Sequence, residues 1–299
     1  MRVGITLPAT GNPGAFARHV EDIGLDSVWT GDHLIAVAPK LDSTLLLATA
    51  AATTTRIGLG FGVLILALRP VAWAAKQVAT LQHLSGDRVL LGIGTGGEVH
   101  GDEGWRAAGV PFAERGPRTD AALSVLPDLI AGKPTELDGD SGHSGDSGDR
   151  GGPVRLAPGA TMPPVLIGDG PQALRRAARL GHGWYPAFLP PAALAAGVRE
   201  LAERAEAHGH PTPGVTAQVS VGLGDVPTEV VDAQVRGLTA YGMSEAVARL
   251  SLVTGGPAAA ADRLAALAAA GAERIVGLPF ADDNHRQAEL LAEAVRLAG

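Results

Sequence analysis

Eight short apolar runs recur along the chain, and helical segments separate most of them from the next. The runs are Val3–Leu7, Ser27–Thr30, Arg56–Phe61, Val89–Ile93 within Arg88–Glu98, Pro164–Ile167, Gly183–Tyr185, Val215–Leu223 and Arg274–Leu278. Helical spacing of apolar residues, with Pro at starts and Gly at stops, predicts helices over Pro13–Gly24, Ser43–Thr53, Pro70–Leu84, Glu114–Ala131, Pro171–Leu180, Pro190–His208, Pro227–Tyr241, Pro257–Ala270 and Asp283–Leu297. A strand followed by a helix and another strand returns to the same edge of a sheet, so the alternation calls for parallel pairing through right-handed crossovers. Eight repeats favour a closed (β/α)8 barrel over an open doubly wound sheet, and 299 residues suit a single such domain over 1–299.

The strand ends carry the second constraint. Gly31-Asp32-His33, Gly62-Val63, Gly94-Thr95-Gly96-Gly97 and Gly168-Asp169-Gly170 each follow a predicted strand. In a parallel barrel these ends share one rim, the place where such barrels keep their chemistry. Gly92–Gly97 fits G-x-G-x-x-G literally, but no helix opens at its third glycine, because Glu98–Gly104 reads as loop. The stretch is read as a rim where backbone meets a flat ligand, with an ordinary tight turn as the alternative. A histidine at the end of strand two faces the central cavity and titrates near working pH, so His33 is a candidate to stabilise or transfer a proton. Glycines at a helix start, as in Gly168–Gln172, suit an anion such as phosphate.

Composition excludes several classes. A net charge of −7 with no Lys/Arg block offers nothing to nucleic acid. Cysteine is absent, which removes disulfides, thiolate catalysis and Cys-ligated metals, and no metal site is expected. The longest apolar stretch, Ile57–Leu68, is too short to span a bilayer, and MRVGITLPATG lacks the layout of a signal peptide, so a cytoplasmic protein is expected. Asp138–Gly152 is nearly all Gly, Ser and Asp and reads as a surface insertion before strand five. Its two GDSG tetrapeptides lack the all-β pattern of a serine protease and are read as solvated loop.

The motifs DSVWTGDHL (Asp26–Leu34), TTRIGLGFGVLI (Thr54–Ile65), Arg69–Gly96, GVPFAERGPR (Gly109–Arg118) and Pro163–Trp184, in this order, resemble the luciferase-like monooxygenase superfamily. The resemblance covers nearly the whole chain and implies a TIM barrel that binds coenzyme F420 or FMN at its C-terminal rim. It implies that Asp32 and His33 face the deazaflavin, that Gly62-Val63 is a non-proline cis peptide behind the ring, and that Thr95, Gly96 and Gly97 border the ring. Gly168, Gly170, Pro171 and Gln172 would hold the cofactor phosphate, while Phe112, Arg115 and Arg118 match a mainly structural pattern.

Where sugar-phosphate dehydrogenases of the F420 branch carry a Glu proton donor after GTG, this chain has Gly97, with Glu98 one place later. The expectation is an F420-dependent oxidoreductase moving a hydride to or from a small organic substrate, with His33 and Glu98 as catalytic residues and His100 as the alternative to Glu98. The alternatives are an FMN-dependent monooxygenase and a non-catalytic flavin-binding barrel. A homodimer through Leu45–Ala52 and Val71–Leu81 is also expected.

Overall fold

The computed structural model describes residues 1–137, 152–168, 170, 172–180 and 182–299. In chain order the first half runs β1 (Arg2–Thr6), α1 (Pro13–Asp22), β2 (Ser27–Thr30), α2 (Ser43–Thr53), β3 (Gly58–Ile65), α3 (Val71–Ser85), β4 (Val89–Gly94), α4 (Glu103–Ala107) and α5 (Arg115–Ile130). The second half runs β5 (Val165–Gly168), α6 (Ala173–Leu180), β6 (Gly183–Tyr185), α7 (Pro191–Ala207), β7 (Thr216–Leu223), α8 (Thr228–Ala240), α9 (Glu245–Ser251), β8 (Leu252–Gly255), α10 (Pro257–Ala269), β9 (Arg274–Pro279) and α11 (Asn284–Ala298). Side chains fix several helix starts. Asn12 accepts from the Ala15 N–H at 3.0 Å, Asp42 from Leu45 at 2.9 Å and Asp283 from Arg286 at 3.0 Å, each satisfying a donor the helix cannot.

Every paired strand is parallel, in the order β6-β5-β4-β3-β2-β1-β9-β7-β8. Parallel bridges Trp184–Val215 and Ala187–Gln218 join the end of β6 to β7 and close the sheet into the expected TIM barrel. β8 was not expected. It pairs with β7 from Ser220 to Leu223, above the stretch that the β6 side occupies, and so extends one barrel edge without entering the ring. Its four residues follow α9 directly, with no turn residue to announce them. β3 also runs further than predicted, through Gly62-Val63 to Ile65, and its register against β4 slips between Phe61 and Leu64. The Gly62–Val63 peptide is cis, as the resemblance implied. Of the Asp138–Gly152 insertion, residues 138–151 lie outside the described residues; Thr135 and Val154 on its flanks form an antiparallel bridge.

The main apolar core lies between the sheet and its helices. A second cluster fills the barrel: Trp29, Leu166, Tyr185 and Val276, with Val63 and Leu90 packed on it. Room for the Trp29 ring comes from the neighbouring strands. A β-carbon on Gly60 would sit 2.1 Å from ring carbons, and one on Gly4 would sit 2.8 Å from Nε1. The Trp29 N–H donates to Ser27 Oγ at 2.8 Å, so the one polar atom of the ring is satisfied within the barrel. Tyr185 donates to Gln218 Oε1 at 2.9 Å, and burial pushes its phenol well above the usual range, so it stays protonated. Among the described residues no helix is long and apolar enough to cross a membrane.

Candidate active site at the barrel rim

The loop after β2 supplies Asp32 and His33, and the two do different work. Asp32 is 5% exposed, and both its oxygens are taken by protein donors. Oδ1 accepts from Ser43 Oγ at 3.1 Å; Oδ2 accepts from the Ile65 N–H at 3.0 Å and from Arg69 Nη2 at 2.6 Å. One carboxylate thus ties the β2 end to the start of α2 and to the end of β3. His33 points instead into a pocket lined also by Ile35, Ile65, Gly97, His100 and Trp105.

The His33 ring lies 3.7 Å from the ring of His100, tilted by 37°. His100 comes from the single helical turn Glu98–His100 after β4. Its Nδ1 accepts from the Val37 N–H at 3.4 Å, and its Nε2 lies 3.3 Å from the Tyr241 hydroxyl. With Nδ1 accepting, the neutral ring carries its proton on Nε2 and donates it to Tyr241. The β2–α2 loop, the turn after β4 and the C-terminal end of α8 therefore meet at His100. Burial, then the charges on His100 and Lys40, draw His33 down from 6.5 to about 4, against the opposing pull of Asp32. His100 is lowered by burial and by Lys40. Both imidazoles are neutral at pH 7.

That neutrality is linked to stability. Folded His33 takes its proton near 4, whereas the unfolded side chain takes it near 6.5. Between those values the unfolded chain holds more protons, so stability rises with pH across this window and is lost on acidification. The thermal midpoint of His33→Gln is expected to fall less than that of the wild type when pH drops from 7 to 4.5. Parallel curves would show that His33 carries none of the acid sensitivity.

The end of β3 is closely packed against its neighbours. Val63 stands on the β3 bulge, and three glycines from β4 and β5 leave space for it. A β-carbon would fall 2.3 Å from Val63 Cγ2 at Gly94, 2.9 Å from Cγ1 at Gly168 and 3.3 Å from Cγ1 at Gly92. Gly62 is equally confined, since its β-carbon would meet the Tyr185 hydroxyl at 2.4 Å. Thr95 and Gly96 follow at the end of β4. Gly96 has φ +73, and a β-carbon there would fall 2.7 Å from Trp105, whose ring packs edge-on against Phe112 at 5.5 Å. The Arg115 guanidinium covers the Phe112 ring at 3.8 Å, so Phe112 and Arg115 buttress the loop, while Arg118 pairs with Glu114 on the surface at 2.8 Å. At Gly97 a β-carbon would meet nothing within 4 Å among the described residues, which leaves open space there.

The other predicted residues fall as follows. Glu98 is 84% exposed, lies 4.0 Å from Arg115 and does not line the pocket with His33. Gly168 and Gly170 stand at the end of β5, and the exposed Gln172 precedes α6; Pro171 lies outside the described residues. Tyr241 and Lys40 were not singled out from the sequence. Tyr241 is 141 residues from its partner His100, and no local pattern encodes a contact at that distance. A wider groove of about 570 Å³ lies by Gln82, His83 and Asp87, at the start of β4 and so at the opposite end of the barrel, where residues serve stability rather than chemistry. Among the described residues no group of three or more acidic or histidine side chains could hold a metal ion.

Comparison with known proteins identifies the fold and the family. An F420-dependent glucose-6-phosphate dehydrogenase of Kineococcus radiotolerans is 33% identical over 186 residues, 59% of this chain and 52% of the relative. The chain spans about half the length of the curated relatives it matches. A solved F420-dependent secondary alcohol dehydrogenase with an F420-acetone adduct superposes with TM-score 0.82 at 16% identity, covering 100% of both chains. The oxygenating constituent of 3,6-diketocamphane monooxygenase from Pseudomonas putida, in complex with FMN, superposes with TM-score 0.76 at 16% identity over 99% of this chain and 98% of the other. At such identities the superpositions establish the fold. The family model for luciferase-like monooxygenases matches residues 6–294, nearly the whole chain, and the chain belongs to that family.

Proposed function

We propose that this chain is an F420-dependent oxidoreductase that transfers a hydride between the deazaflavin and a small organic substrate. The observation that carries the reading is the division of labour at the end of β2: Asp32 is consumed in holding the β3 bulge, and His33 is left neutral beside it, facing a pocket. The crowded glycines under Val63 and the open space over Gly97 fit a flat ring lying on the bulge. Val63, Thr95, Gly96 and Gly97 would border that ring; Gly168, Gly170, Pro171 and Gln172 would hold its phosphate. When bound, the deazaflavin supplies hydride chemistry at its carbon-5.

The chain's own residues supply position, dryness and a proton. Neutral His33 donates a hydrogen bond to the reacting oxygen or nitrogen, or takes its proton. His100 orients His33 by stacking and takes the second acid/base place in preference to Glu98, which faces solvent against Arg115. Leu34 and Ile35 form an apolar lip that limits water. Exposed Leu45 on α2 and Trp73 on α3 support the expected homodimer through those helices.

The test is spectroscopic titration with F420 and with FMN, followed by turnover of small carbonyl, imine and activated alkene substrates. F420 is expected to bind, and His33→Ala is expected to lower kcat by about 10²- to 10⁴-fold while cofactor affinity holds. Binding of FMN alone, with oxygen consumption from its reduced form, would replace this reading with a monooxygenase.

A further inference from the structure

The charged groups around His33 leave one cation without a hydrogen-bonded partner among the described residues. Asp32 is neutralised by Arg69 at 2.6 Å and takes two further donors. Glu98 is turned outward, and among the described residues no Asp or Glu lines the pocket that His33 and His100 share. Lys40 stands over this arrangement with no ion pair of its own, and the carboxylate whose charge reaches it, Asp32, is already paired with Arg69. The residue as a whole is exposed, but its ammonium lies over Gly31, where a β-carbon would be 3.3 Å from Nζ and 3.2 Å from the Gly62 carbonyl oxygen. Among the described residues it makes no hydrogen bond or ion pair, whereas Lys133 pairs with Asp128 at 2.9 Å and Lys76 donates to the Ala157 carbonyl. The groups whose charges act with it are Asp32 on its own loop, His33 beside that, and His100 from the β4 turn.

We propose that the rim receives an anionic oxygen group of its ligand, a carboxylate or its equivalent, and that Lys40 anchors it beside His33. This rests on the reading of the rim as the reactive site. Partial burial lowers the Lys40 pKa, and only Asp32, already paired, opposes it. A partly dehydrated cation without a partner is a site whose cost an incoming anion removes. The exposed apolar side chains of Leu34, Ile35 and Val37 on the same loop would cover the rest of such a molecule. The anion has two possible sources, the substrate or the cofactor, and they are separable.

The test uses the full chain with ¹⁵N-labelled histidine, titrated with acetate and benzoate and with acetamide and benzamide as neutral counterparts. Carboxylates are expected to shift the His33 and His100 signals at about tenfold lower concentration than the amides, a difference of roughly 1.4 kcal/mol. Lys40→Met is expected to erase that preference while keeping the amide response and the thermal midpoint; Lys40→Arg is expected to keep it. Equal responses to carboxylates and amides in the wild type together with unchanged F420 affinity in Lys40→Met, or a preference that survives Lys40→Met, would overturn the proposal. F420 binding curves for the wild type and Lys40→Met separate the sources. Unchanged affinity, with the carboxylate preference lost, assigns the anion to substrate. A tenfold weaker F420, with no carboxylate response in the wild type, assigns it to the cofactor and overturns the substrate anchor. The histidine signals need no cofactor, so failure of F420 to bind would defeat the proposed function and leave the result on Lys40 standing.

Discussion

Asp32→Ala is expected to lower the thermal midpoint by roughly 10 °C and to abolish cofactor binding, although its carboxylate touches only protein. Removing one partner of a buried ion pair costs about 3–5 kcal/mol, because the other charge stays behind in a poor solvent. Here the stranded groups are the Arg69 guanidinium, whose side chain is 19% exposed, and the N–H of Ile65, which is 1% exposed. At about 2–4 °C per kcal/mol for a chain of this size, the midpoint moves by the stated amount. Asp32→Asn sharpens the test. Its amide oxygen can still accept from Ile65, and its NH₂ can donate to Ser43 Oγ once the hydroxyl turns. Only the charge opposite Arg69 is lost, so about half the fall is expected. Equal losses in the two variants would show that charge alone matters; a loss under about 1 kcal/mol in the alanine variant would show that the three tethers are not holding the bulge.

The barrel was legible because its signals are local. Buried parallel strands are continuous apolar runs, and those of this chain end in Gly where backbone must approach something. Pro13 stands at a helix start, and Gly86 with φ +64 ends α3, each an effect within a turn of its cause. The extension of β3 was not legible: Gly62–Ile65 looks like a strand's exit until the partner strand is seen to slip by it. The candidate site was legible only in part, for the same reason. Asp32 and His33 are marked by their place after β2, but the donors that occupy Asp32 lie 11, 33 and 37 residues away. Whether Glu98 or His100 faces His33 depends on how one turn, Glu98–His100, is wound. That turn is set by Tyr241 and Val37 from other loops rather than by its own residues.

Gly94→Ala is expected to destabilise the barrel by about 1–3 kcal/mol and to weaken cofactor binding at least tenfold, and Val63→Ala is expected to restore much of both. The new β-carbon would fall 2.3 Å from Val63 Cγ2, a distance no pair of carbons tolerates, while Val63 Cβ lies 3.3 Å away. Val63 cannot simply swing away, because a β-branched side chain is stiff at χ1 and this one packs on the Trp29–Tyr185 cluster inside the barrel. The bulge itself must therefore shift, and with it the surface on which the ring is proposed to lie. Truncating Val63 removes both γ-carbons and leaves the 3.3 Å contact, which a shift of a few tenths of an ångström relieves. The double variant should then show a favourable coupling of roughly 1–2 kcal/mol in chemical denaturation, since residues in direct contact are the ones whose effects fail to add. Gly60→Ala is the control. Its β-carbon would meet two ring carbons of Trp29 at 2.1 Å, deep in the barrel, and Val63→Ala should not rescue it. Additive losses in Val63→Ala/Gly94→Ala would mean that the β4 end is damaged on its own account, and that Val63 is not the surface through which the glycines act.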